Sequence, residues 1–177
     1  YTGQTAIIGG DTGTKKSMVA IATALSLASG VPLFDYFKVK KQDRVMLVQY
    51  ENENYDMKKR FETMLEHYVK VSGTNDWVDN IITQELTNDT KDFSDKWKII
   101  RYTLEDWDFK NGVFILDNLY TSTDLELETN QDCKKVVGYI NDIRRERELS
   151  MFLLAHCVKH STSVDKELAI KQIQGGA

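Results

Sequence analysis

Thr5-Ala6-Ile7-Ile8-Gly9-Gly10-Asp11-Thr12-Gly13-Thr14-Lys15-Lys16-Ser17 is the stretch on which the fold turns. Thr5–Ile8 is a short apolar run without polar alternation, which predicts a strand buried on both faces. Lys16–Ser29 follows at once, apolar nearly all round and rich in Ala and Leu. It closes at Gly30 with Pro32 just beyond, a helix C-terminal signal. Between strand and helix, Gly10, Lys16 and Ser17 satisfy the spacing G-x-x-x-x-G-K-[ST] of a phosphate-binding loop.

Each residue type in that spacing has a chemical reason. Glycines let the backbone curl so that successive N–H groups face phosphate oxygens, and the helix N-terminus adds its positive dipole. Gly10, Asp11, Thr12, Gly13, Thr14, Lys15, Lys16 and Ser17 are therefore the candidate contacts to the phosphates of ATP. Lys16 is expected to reach the β and γ phosphates, and the Ser17 hydroxyl to ligate Mg²⁺. Lys15 stands where the usual pattern has its second glycine. Its side chain is expected to point outward, with Gly13 supplying some of the lost freedom. The plainer alternative is a Gly-rich turn and helix start with no ligand.

Outward from the loop, the chain alternates. Val45–Val48, Val113–Leu116 and Met151–Ala155 read as further buried strands, and Ile81-Ile82 as a weaker one. Between them, Asn54 can cap a helix carrying Met57, Phe61, Met64, Leu65 and Tyr68 on one face. A second helix is expected over about Ser94–Trp107. Asn130 can cap a third, with Val136, Val137, Ile140 and Ile143 on its buried side. Strands alternating with helices predict an α/β fold, a mainly parallel twisted sheet flanked by helices on both faces. Ligands in such sheets sit beyond the carboxyl ends of the strands.

That rule selects three more residues. Glu51, just after Val45–Val48, is placed to orient a water for attack on a γ-phosphate. Glu53 fits the simpler role of an acid in a helix first turn. Asp117 ends the run Gly112–Asp117, the Walker B arrangement that holds Mg²⁺ through water. His156 ends the last strand, with Lys159 beyond, and can contact the γ-phosphate; a partly exposed histidine closing a strand is nearly as good a reading. No second His or Cys stands near it at metal-ligand spacing, and His160 has no nameable partner.

Together these positions resemble the RecA-like P-loop ATPases, most closely the RepA-like group related to hexameric replicative helicases. The resemblance rests on the loop and helix leading into Ala28–Pro32, on Tyr50-Glu-Asn-Glu53 followed by Lys59-Arg60, and on Leu116-Asp-Asn-Leu119. It continues through Glu128-Thr-Asn130, Leu153-Leu-Ala-His156 with Lys159, and Ile173-Gln-Gly-Gly176. It implies a RecA-like fold, a catalytic Glu51, an Mg²⁺-holding Asp117, a γ-phosphate sensor at His156, and a homo-oligomeric ring such as a hexamer. An arginine finger from a neighbouring subunit would lie beyond Ala177.

Composition sets the outer bounds. With 177 residues, 41% apolar and 28% charged, the chain suits one ordered domain over residues 1–177. It starts at Tyr1 rather than Met and stops at Ala177 mid-pattern, so a piece of a longer protein is expected. No apolar run approaches the roughly 20 residues of a membrane span, so no membrane partner is expected. Cys133 and Cys157 lack CxxC spacing and read as reduced thiols of a cytoplasmic protein. The net charge of −4 gives no global footprint for nucleic acid, though a local groove can be basic. Lys38–Arg44, Lys58–Arg60 and Arg144–Arg147 read as solvated faces, and Trp77, Trp97 and Trp107 as core or interface aromatics. No compact stretch interleaving aromatic with basic residues is expected.

The leading expectation is an ATPase motor acting on DNA, with single-stranded DNA as partner. A nucleotide-dependent scaffold with weak hydrolysis is the alternative, motivated by Lys15 and the acidic charge. A small-molecule kinase ranks last.

Overall fold

The computed structural model describes residues 3–11, 13–49, 54–86, 93–123 and 130–156. Strands β1 (Thr5–Gly10), β2 (Val45–Gln49), β3 (Ile81–Glu85), β4 (Val113–Asp117) and β5 (Ser150–His156) form one sheet in the order β1-β5-β4-β2-β3. Every pairing is parallel. Helices α1 (Lys16–Ser29), α2 (Asn54–Ser72), α3 (Phe93–Asp106) and α4 (Asn130–Glu146) connect them, with a short 3-10 turn at Val78–Asn80 before β3.

Side chains of a strand alternate between faces, and the continuous apolar runs supply a core to each. Val45, Leu47, Val113 and Ile115 pack with Ala20, Ile21, Ala24, Leu25 and Ala28 of α1 and with α2 on one face. Met46, Val48, Phe114, Leu116, Met151 and Leu153 pack with Trp97, Ile100 and Leu104 of α3 and Val136, Ile140 and Ile143 of α4 on the other. Alanines at 20, 24 and 28 recur at i, i+4, so one stripe of α1 has no bulk and lies close on the sheet. The helix stops where expected: Gly30 turns left-handed at φ 78° and donates its N–H to the Ser26 carbonyl.

Two expectations need correction. β1 is an edge strand of the described sheet, not one buried on both faces; Thr5 to Ile7 are exposed, Ile7 by 45%. Val137 is 46% exposed while Val136, Ile140 and Ile143 are buried, so the apolar stripe of α4 is one residue narrower than its valines suggest. Trp77 and Trp97 are buried in the core, and Trp107 is 53% exposed, which agrees with the interface half of the core-or-interface reading rather than the core half. The weak candidate Ile81-Ile82 is the start of the full strand β3. Asn54 and Asn130 are the first helical residues of α2 and α4, and their side chains and that of Met57 lie outside the described residues. Cys133 is a free, exposed thiol, and Cys157 lies outside the described residues.

Candidate functional site

In an all-parallel sheet the carboxyl ends of all strands share one edge, and the candidate residues gather there. Gly10 ends β1 opposite His156 of β5, and Asp117 ends β4 opposite Gln49 of β2. Thr12, Tyr50, Glu51, Glu53, Lys159 and His160 lie outside the described residues, and His156 is placed by its backbone alone. Ile173–Gly176 lies outside them too.

Between β1 and α1 the chain makes a curled loop. Gly13 sits at φ 83° and Lys15 at φ 61°, both left-handed. Lys15 thus adopts the conformation for which the usual pattern keeps a glycine, at a steric cost of about 1–2 kcal/mol. Its side chain is exposed, as expected. The freedom comes from Lys15 itself as well as from Gly13. Lys15 also caps α1 without a side-chain bond, and its carbonyl accepts the N–H groups of Met18 and Val19.

Thr14 closes the loop, its Oγ1 donating to the Asp11 carbonyl at 2.7 Å and its N–H to the same oxygen at 3.3 Å. Lys16 is only 8% exposed, and its Nζ folds back over the loop. It donates to the Gly10 carbonyl at 2.7 Å and the Asp11 carbonyl at 2.8 Å, with the Thr14 hydroxyl at 3.5 Å. A buried ammonium needs such acceptors. A Cβ on Gly10 would meet Thr14 Oγ1 at 2.9 Å, so a side chain there would crowd the curled loop. The left-handed pair, the helix start behind it and a lysine over the loop's centre fit a bound polyphosphate.

Asp117 is 3% exposed, with Gln49 Nε2 3.5 Å from its Oδ2. The turn beyond it is held firmly. Leu119 donates its N–H to the Leu154 carbonyl at 2.7 Å, Asn118 Oδ1 accepts the Thr121 N–H at 3.0 Å, and buried Lys96 donates to the Thr121 carbonyl at 2.7 Å. Lys96 carried no signal in the sequence, because a lysine on a polar helix reads as solvated. Among the described residues no cluster of three His, Cys, Asp or Glu side chains could hold a metal. A hydroxyl and one carboxylate suit magnesium, which keeps several waters and takes few protein ligands.

A shallow cavity beside the start of α1 is lined by Met18, Lys59, Arg60 and Thr63. Two cations of α2 thus stand on the same side as the start of α1. Lys58, Lys59 and Arg60 are all exposed, in line with the reading of a solvated face, and Lys59 and Arg60 also border this open cavity.

A parallel α/β sheet with helices on both faces, and a Gly-rich loop after β1 leading into Lys16 and Ser17 at the start of α1, defines the RecA-like class of P-loop nucleotide-binding domains. The chain belongs to the AAA domain family, whose match covers residues 2–162, and is by that membership a nucleotide-binding P-loop ATPase. A search of curated proteins returns no match. No helix among the described residues is long and apolar enough to cross a membrane.

Proposed function

We propose that the chain is an ATP-hydrolysing motor domain that works as a homo-oligomeric ring on DNA, in the manner of RepA-like replicative helicases. The observation that carries this reading is the meeting of a curled Gly10–Ser17 loop and a buried Asp117 on one edge of the sheet.

The residues divide the chemistry as follows. Loop N–H groups and the start of α1 bind the phosphates, and Gly13 and Lys15 keep the loop curled for them. Lys16 exchanges the carbonyls of Gly10 and Asp11 for the β and γ phosphate oxygens, so its charge is held in the loop before ligand arrives. Ser17 and, through water, Asp117 would hold magnesium, which when bound neutralises charge developing on the phosphoryl oxygens. Glu51 accepts a hydrogen bond from the attacking water and orients it. His156 contacts the γ-phosphate and reports its loss.

The test is ATP turnover with and without single-stranded DNA across a range of salt. DNA-stimulated turnover is expected, reduced at least 100-fold in Lys16→Ala and in Glu51→Gln. Turnover unchanged in Glu51→Gln would remove the water-orienting role. ATP-dependent assembly without DNA binding at low salt would favour a scaffold instead.

A further inference from the structure

The opposite edge of the sheet carries a feature that the nucleotide site does not use. Residues 30–44 join the end of α1 to the start of β2 and therefore cross the amino-terminal edge. Within them, Leu33 and Phe37 form a two-way backbone bridge, at 2.9 and 3.0 Å, around a tight turn. Phe34 and Asp35 inside it stand at φ 54° and 56°, a left-handed pair that usually calls for Asn or Gly. A bulky residue held there is an outlier that persists only where the surroundings impose it.

The turn presents three aromatic rings to solvent: Phe34 is 59% exposed, Tyr36 77% and Phe37 59%. Lys38, Lys40 and Lys41 follow, all exposed, and among the described residues none of them has an ion-pair or hydrogen-bond partner. The end of the connection is pinned inward, with Gln42 Nε2 on the Ser29 carbonyl at 2.7 Å and the Asp43 N–H on the Leu27 carbonyl at 3.0 Å. Arg44 then continues the basic run and donates to the carbonyls of exposed Trp107 and of Asp108, both at 3.4 Å. Rings and cations do not interleave here; the aromatic residues Phe34, Tyr36 and Phe37 come first, and Lys38, Lys40 and Lys41 follow directly.

We propose that Phe34, Tyr36, Phe37, Lys38, Lys40 and Lys41 form a contact surface for single-stranded nucleic acid on the edge of the sheet opposite the phosphate loop. Ring faces stack on bases of any identity while unpaired ammonium groups meet the backbone phosphates. The chain as a whole carries −4, so a local run of cations beside rings is a selective complement to a polyanion. Trp107, reached through Arg44, extends the surface along the edge. The connection also carries the carboxylates of Asp35, which adds to the raised pKa of the Tyr68 phenol, and Asp43, and Asp108 next to Trp107 is paired with Lys110 at 3.2 Å. A carboxylate within the aromatic turn opposes insertion into a bilayer, which would have to desolvate it. The inference rests on the reading of DNA as partner and adds where the strand lies.

Binding of a fluorescein-labelled oligothymidylate of about 16 nucleotides to the 177-residue chain tests it, by anisotropy across salt. Lys40→Gln/Lys41→Gln is expected to lower the salt slope by about 1.4. Tyr36→Ala/Phe37→Ala is expected to weaken binding about 5- to 150-fold per stacked base lost. Both variants should melt at the wild-type temperature, since the side chains are exposed. Trp107 is 53% exposed while Trp77 and Trp97 are buried, so its emission should fall on binding. Wild-type binding that neither variant weakens would overturn this surface and leave the DNA reading standing. Absence of wild-type binding at low salt would overturn both. Variants that change only oligomer size, or binding to anionic vesicles, would assign the surface to another partner and overturn the proposal.

Discussion

Lys15 and Lys16 are neighbours with opposite fates, and the difference is physical. Lys16 lies nearly buried with its ammonium on two loop carbonyls, while Lys15 is exposed and left-handed. The loop pattern was legible because glycine, lysine and serine at fixed spacing have few other reasons to occur before a helix. That Lys15 would itself turn left-handed was not, since conformation at one residue answers to loop closure rather than to local preference. Lys15→Gly is expected to raise stability by about 0.5–1 kcal/mol, relief of the left-handed cost less the added freedom of the unfolded chain. Urea unfolding measures it, and a loss of stability would mean that the Lys15 side chain makes a contact that outweighs its backbone cost.

Elements were legible in proportion to how continuous their apolar runs are. β2, β4 and β5 each supply side chains to both cores, so their sequences are apolar throughout and easy to read. β1 has a similar run but lies at the sheet edge, a fact of topology that no local pattern carries. Val137 misled because two adjacent valines cannot share one helix face, and packing selected Val136. The turn at 33–37 is not legible in the sequence, because Phe-Asp is not a composition that signals left-handed turns.

The packing of α2 on α1 makes its own prediction. Tyr68 is buried and donates its hydroxyl to the Ala22 carbonyl at 3.2 Å, and burial, with Asp35 adding, pushes its phenol above the usual 10.0. The folded state holds this proton more tightly than the unfolded chain. The stability it contributes is therefore whole below pH 10.0 and falls as pH rises through the higher folded value. Tyr68→Phe is expected to cost about 1 kcal/mol at pH 8, the net worth of such a hydrogen bond, and progressively less above pH 10. Denaturant midpoints at both pH values measure the difference. A constant difference would mean that the phenol titrates alike folded and unfolded.

At the scale of the whole molecule, the parallel sheet separates two edges with different chemistry. The carboxyl edge gathers the Gly10–Ser17 loop, Asp117 and the end of β5, and the amino edge gathers exposed rings and cations. Alternation of strands and helices made the first arrangement legible, because the parallel rule brings strand ends together whatever the sequence between them. The second needed the fold, since Trp107 and the run 34–44 are far apart in the chain. The central claim is that the loop at the carboxyl edge binds ATP through Lys16. Calorimetric titration of Mg-ATP into wild type and Lys16→Ala tests it most directly. Saturable one-to-one binding, weakened at least 100-fold by the substitution, is the expected result; equal affinity in the two proteins, or no binding to wild type, would contradict it.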